Sequence, residues 1–167
     1  YEYEVEAEFI HEFRRNDARY SYSPIVAAGA NACTLHYVDN SAELEDGQLL
    51  LIDAGCELDY YASDITRTFP VNGRFNGEQR ALYEVVLAAQ EQAIDAVREG
   101  AQWDDLHDVA VEALTDGLLE LGILAGDREE AIEQGLFENY YLHKTGHWLG
   151  LDTHDVGDYQ VGGHSRA

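Results

Sequence analysis

The sequence predicts an α/β chain of the α+β kind, with an antiparallel hairpin and long helices. Two observations carry this. The apolar run Gln48 to Ala54 is followed by a turn over 57–61 and a second extended run from Ala62 to Val71, the pattern of an antiparallel hairpin. Two later stretches place apolar residues at helical spacing. At 167 residues, 46% of them hydrophobic, the chain is long enough to bury a core as one domain, 1–167.

Taken in order, residues 1–18 carry two signals. Tyr1, Tyr3, Val5, Ala7 and Phe9 alternate with glutamates, a strand period, while Val5, Phe9 and Phe13 recur every fourth residue. The helix-forming Glu and Ala content favours a helix. Residues 24–28 and 33–38 read as short strands around a Gly29-Ala30-Asn31 turn, and the 48–54/62–71 hairpin follows. Asn76 is the N-cap of a long helix with the stripe Leu82, Val85, Val86, Ala89, Ala93 and Val97, ended by Gly100. A second helix starts near Asp104, buries Leu106, Val109, Ala110, Ala113, Leu114, Leu118 and Leu121, and stops near Gly122. These stripes are core positions. A short helix is expected over 128–134, and the Gly-, His- and aromatic-rich remainder from Asn139 reads as strand and loop.

The formal charge of -23 repels nucleic-acid phosphates and anionic membranes, so neither is an expected partner. It suits divalent cations and the ammonium end of a peptide, although most of these carboxylates are a solvated surface. No apolar run is long enough to span a membrane and no signal segment opens the chain. A chain that begins at Tyr1 and has no Met reads as a piece of a longer protein. Cys33 and Cys56 fit no metal spacing; two reduced thiols in a cytoplasmic protein is the favoured reading, with one disulfide the alternative.

Asp53 lies inside an apolar strand, where a carboxylate is costly unless paired or metal-bound. Alone it could be a turn aspartate before Gly55, and Asp64 could form an ion pair with Arg67. Together on one hairpin they point to metal. His143, His147 and His154 fall within twelve residues. The His143/His147 spacing matches a zinc-protease helix, but Lys144 stands where that motif needs Glu, and Gly146 lies inside it, so this reading is rejected. No Gly-x-Ser-x-Gly elbow or phosphate-binding glycine loop is present.

The strings HYVDN (36–40), LLLIDAGCELDYYASDITRTFPVNGRF (49–75) and HKTGHWLGLDTHDVGDY (143–159) resemble the catalytic domain of the bacterial aminopeptidase P (Xaa-Pro aminopeptidase) family. The resemblance covers essentially the whole chain. It implies a partial pita-bread fold, a curved, mostly antiparallel sheet covered by helices. It implies a metallopeptidase that releases the first residue from peptides with proline second, by attack of hydroxide at a dinuclear centre. Two divalent ions, Mn²⁺ by preference, are implied, with Asp53 on one, Asp64 bridging both and His147 on the other. His36, His143 and His154 are implied as catalytic and substrate-contacting residues, and Tyr159 as substrate-binding. A homo-oligomeric parent is compatible with this reading. Two glutamate ligands that the family carries in segments resembling VEPG and IEDD do not occur in these 167 residues, nor does the preceding amino-terminal domain. Where the family often has a substrate-contacting Arg before a Ser-Arg pair, this chain has His164. The expectation is therefore a fragment inactive alone. A proline dipeptidase of the same fold and a non-catalytic binding module are the alternatives.

Overall fold

The computed structural model describes residues 1–166. These form two compact units, one of residues 1–75 with 147–156 and one of 76–146 with 157–166.

In the first unit, helix α1 (Glu2–Arg15) opens the chain, with Glu2 and Glu4 in its first turn and Arg14 and Arg15 in its last, both favourable to the helix dipole. The four-residue period wins over the alternation because Val5, Phe9 and Phe13 have a surface to cover. They pack on Val26, Ala28, Leu50, Ile52 and Ala54 of the main sheet. That sheet is antiparallel, in the order β2 (Ile25–Ala28), β3 (Leu49–Ala54), β6 (Ile65–Pro70). Along β3, Leu50, Ile52 and Ala54 are buried while Leu49, Leu51 and Asp53 on the opposite face are half-buried. A second antiparallel sheet joins β1 (Arg19–Tyr20), β4 (Cys56–Leu58) and β5 (Tyr61–Ala62).

The chain passes from β3 to β4 through Gly55, where a Cβ would overlap the Ser63 carbonyl. The Ser21 hydroxyl donates to that carbonyl (2.8 Å), closing the crossing. Both thiols are free.

The edge strand β2 is sealed by side chains. Its outward N–H groups at Val26 and Ala28 donate to Asn40 Oδ1 (3.0 Å) and Glu2 Oε1 (2.8 Å). Such groups would otherwise be a template for pairing with another chain. Glu2 is fully buried (0% exposed). Its carboxylate also accepts from Asn31 Nδ2 (3.0 Å), Tyr37 Oη (2.8 Å) and Ala42 N (2.9 Å). Burial pushes this carboxyl upward, but the donors outweigh it and hold it below the usual range.

The strand expected over 33–38 does not form. A 3₁₀ turn occupies Gly29–Cys33, and the chain reverses at His36 with φ 57°. Tyr37 and Asn31 are drawn to Glu2, and Leu35 and Val38 are 56% and 54% exposed.

In the second unit, α2 (Gly77–Ala96) begins at a reciprocal cap: Gln79 N donates to Asn76 Oδ1 (2.8 Å) and Asn76 N to Gln79 Oε1 (3.0 Å). Helix α3 (Trp103–Glu120) packs on it where Gly117 meets Val85, a contact so close that a Cβ on Gly117 would overlap the Val85 methyls. Only Ala89 and Ala93 of the expected α2 stripe are buried; Leu82, Val86 and Val97 are 39%, 52% and 66% exposed. Helix α4 (Arg128–Glu133) is capped by Asp127. After it come a 3₁₀ turn (Leu136–Asn139) and the hairpin of β7 (Gln160–Val161) and β8 (His164–Ser165). No helix of the described residues is long and apolar enough to cross a membrane.

Candidate functional site

Alternation along β3 turns Asp53 away from α1, onto the face that also carries its cross-strand partner Thr66. Asp64, two residues before Thr66, points the same way by the period of two. The two carboxylates meet at the Tyr22 hydroxyl, which lies 2.6 Å from Asp53 Oδ1 and 3.0 Å from Asp64 Oδ1. Arg67 does not compete for Asp64; it donates to the Thr66 carbonyl (2.7 Å). His147 arrives from the 147–156 segment, which is tied to β5 by Ala62 N donating to Gly150 O (2.8 Å). Its Nε2 stands 3.0 Å from Asp64 Oδ2, with the two side chains 27% and 25% exposed. The His154 ring lies against that of His147, centroids 4.2 Å apart.

Counting protons tells what this cluster wants. The Tyr22 phenol has one hydrogen for two carboxylates. Burial first, then the hydrogen bond to Asp53 and the charges of Asp53 and Asp64, push its pKa upward, so it remains a donor. His147 Nδ1 lies 3.0 Å from the Trp148 carbonyl, which can only accept, so Nδ1 carries a hydrogen. A carboxylate oxygen facing Nε2 calls for a second ring proton or for a cation between the two. The two Oδ1 atoms share one phenol oxygen and so lie within ~6 Å, where unit charges repel by about 3 kcal/mol at an effective dielectric near 20. One charge-assisted hydrogen bond, about 1.5–3 kcal/mol, does not clearly offset this.

Carboxylate oxygens with one imidazole nitrogen, the latter fixed through its other nitrogen, fit a divalent ion in kind. Among the described residues no group of three or more His, Cys, Asp or Glu side chains is drawn into the geometry of a bound ion; the cluster is closed through Tyr22 instead.

The remaining sequence-predicted residues lie elsewhere. His36 is exposed in the turn after the 3₁₀ segment of the first unit and is not among the side chains meeting at Tyr22. His143 and Tyr159 belong to the second unit. The His143 ring stands edge-on to Tyr141 (5.2 Å) and Tyr159 packs edge-on to Trp103 (4.9 Å). Residues 143–147 form no helix, in keeping with the rejection of a zinc-protease helix there. A groove of about 580 Å³ between α2 and α3, walled by Val85, Ala88 and Ala113 and rimmed by Glu84, Glu112 and Glu120, contains none of these residues.

Tyr22 escaped the sequence reading. It is one of eleven tyrosines, in a Ser-Tyr-Ser-Pro segment with no spacing signature. Only the placement of β2 beside β3 brings it to the carboxylates.

Comparison with known proteins gives a consistent result. Residues 1–167 match metallopeptidase family M24. The Xaa-Pro aminopeptidase of Haemophilus influenzae is 53% identical over 95% of this chain, which spans 37% of that relative's length. The solved structure of Pseudomonas aeruginosa aminopeptidase PepP superposes with a TM-score of 0.98 at 53% identity, over 99% of this chain and 38% of its own. A zinc-substituted Escherichia coli aminopeptidase P in complex with product gives a TM-score of 0.93 at 48% identity, over 95% of this chain and 36% of its own. The chain thus spans little more than a third of the relatives it matches. On the match along its whole length, and with the pita-bread backbone of these neighbours, the chain belongs to metallopeptidase family M24.

Proposed function

We propose that the whole protein is a metal-dependent aminopeptidase that removes the first residue from peptides with proline second, and that residues 1–167 are part of its catalytic domain. The observation that carries this is the convergence of Asp53, Asp64 and His147, with a single phenol shared between the two carboxylates. In this reading Asp53 and His147 each hold one of two divalent ions and Asp64 reaches both. Manganese is the preferred ion, because a carboxylate-rich set with one imidazole suits it. When bound, the ions would polarise the scissile carbonyl and lower the pKa of a water toward neutrality.

This chain's own residues do the rest. Tyr22 aligns the two carboxylates by donating between them. The Trp148 carbonyl holds the His147 tautomer with Nε2 directed at the site. His154, whose ring lies tilted against that of His147, would donate toward the oxyanion that develops at the attacked carbonyl. His143 contacts the substrate, and His36 and Tyr159 contribute to the pocket for it. An Xaa-Pro amide has no N–H, so the leaving nitrogen must be protonated directly. In this reading a glutamate outside these residues would carry that proton.

Both thiols being free suits a reducing cytoplasm. Residues 1–167 alone are expected to turn over no substrate, because only three of the five implied ligands are among them. The test is hydrolysis of Xaa-Pro-Yaa tripeptides by the whole protein with Mn²⁺, beside Xaa-Pro dipeptides. Release of the first residue from the tripeptide, lost on chelation, supports the proposal. Turnover of dipeptides alone makes it a proline dipeptidase, and no bound metal with no turnover makes it a binding module.

A further inference from the structure

We infer that Thr145, His107 and Tyr141 form a clamp that fixes the orientation of the His143 imidazole, making Thr145 and His107 positioning residues for the reaction. This rests on the proposed role of His143 at the substrate.

From Tyr141 to Gly146 the chain has neither helix nor strand, and His143, Lys144 and Thr145 are exposed. A substrate-contacting imidazole on such a segment needs an anchor to a rigid element. The anchor runs to α3. The Thr145 hydroxyl lies 2.9 Å from His107 Nδ1 and 2.7 Å from the Tyr141 hydroxyl. A threonine hydroxyl has one hydrogen, so it donates to one neighbour and accepts from the other. Either direction gives a continuous chain His107–Thr145–Tyr141.

The rings complete the clamp. His107 stacks on one side of Tyr141, centroids 5.6 Å apart and planes at 29°. His143 meets the same tyrosine edge-on at 5.2 Å and 67°. His143 Nδ1 lies 2.9 Å from the Lys144 carbonyl, which can only accept. Nδ1 therefore carries a hydrogen and Nε2 is left to face outward. Burial, followed by the charge of Lys144, lowers the pKa of His107, which keeps that ring neutral and available to Thr145. His107 and Thr145 were not singled out by any motif, and nothing else in the proposed chemistry uses them.

Thr145→Val in the whole protein removes the hydroxyl while keeping the shape. The expected result is a roughly five- to tenfold fall in kcat/KM on an Xaa-Pro-Yaa tripeptide, carried mainly by kcat, since small misplacements of a catalytic group have effects of this order. Thr145→Ser, which keeps the hydroxyl, is expected within about twofold of wild type, and His107→Ala to match Thr145→Val. In a His143→Ala background Thr145→Val should change kcat/KM less than about twofold, because the clamp then has nothing to position. Thr145 is exposed, so the unfolding midpoint should not move and loss of fold does not confuse the result. Equal losses in both backgrounds, or no loss in the wild-type background, overturn the clamp. A silent His143→Ala overturns the role of His143 and the clamp with it, whereas absence of turnover in the wild type overturns the proposed function.

Discussion

Two groups of carboxylates in the first unit make opposite uses of the same chemistry. Glu2 is fully buried yet saturated: two backbone amides, an amide side chain and a phenol all donate to it. Asp53 and Asp64 are only half-buried yet share a single phenol proton, with His147 Nε2 alongside Asp64. Burial alone would pick out Glu2 as the functional group. Counting donors reverses the choice, because a satisfied carboxylate holds structure together while an unsatisfied pair attracts a cation.

The sharpest way to break this comparison is Asp64→Asn in the whole protein. Loss of the proposed shared ligand is expected to lower kcat/KM by about a thousandfold or more, equivalent to about 4 kcal/mol of barrier. Its effect on the metal-free fold should have the other sign. Replacing a repelled carboxylate with an amide that can donate is expected to raise metal-free stability by about 1 kcal/mol. Wild type should gain about 2.7 kcal/mol with Mn²⁺ at a hundredfold over its dissociation constant, and the variant little or nothing. Urea unfolding with and without Mn²⁺ reads both. A variant less stable than wild type without metal would show that the pair is not undersupplied.

Glu2→Gln tests the other half. One amide oxygen can keep Ala28 N and Asn31, but the new NH₂ then faces Ala42 N, and two donors oppose each other. A loss of about 2–4 kcal/mol is expected, with or without Mn²⁺, because a buried donor is left unpaired. The pH dependence follows from the lowered pKa. The unfolded chain takes up the proton first as pH falls, so the stabilisation is complete above the unfolded value and lost as pH drops through the folded one. Wild type should lose stability below about pH 4.5, and Glu2→Gln should flatten that limb of a urea-midpoint profile.

What the sequence made legible divides along the same line. The β3–β6 hairpin, both long helices and the Asn76 cap follow from local spacing, and so does the approach of Asp53 to Asp64, since a hairpin fixes which residues share a face. The placement of His147, eighty-three residues from Asp64, needed the family resemblance. Tyr22 and Glu2 were invisible, because each acts through contacts that exist only once distant segments are packed. The expected strand at 33–38 failed for a related reason. Asn31 and Tyr37 instead hydrogen-bond to Glu2, and local pattern yields to a buried hydrogen-bond centre. The open face of α2 shows the converse, since periodicity identifies an apolar stripe without saying what covers it.

Tyr22→Phe is the finest test of the comparison, because it removes one hydroxyl and leaves the ring. If the phenol only filled space, the variant would behave as wild type. If it aligns two repelling carboxylates, its loss lets them separate, and metal affinity or kcat/KM should fall roughly 10–100-fold, as for residues that orient metal ligands elsewhere. Metal-free stability separates the two contributions. Removing the only shared proton leaves the carboxylates repelling unshielded, so the metal-free protein should be destabilised by about 1–2 kcal/mol. Saturating Mn²⁺ should recover most of that loss, since the ion neutralises the charge the phenol had been easing. A destabilisation that Mn²⁺ does not relieve would mean that Tyr22 belongs with Glu2, as a structural hydrogen bond, and that the undersupplied site is smaller than the geometry indicates.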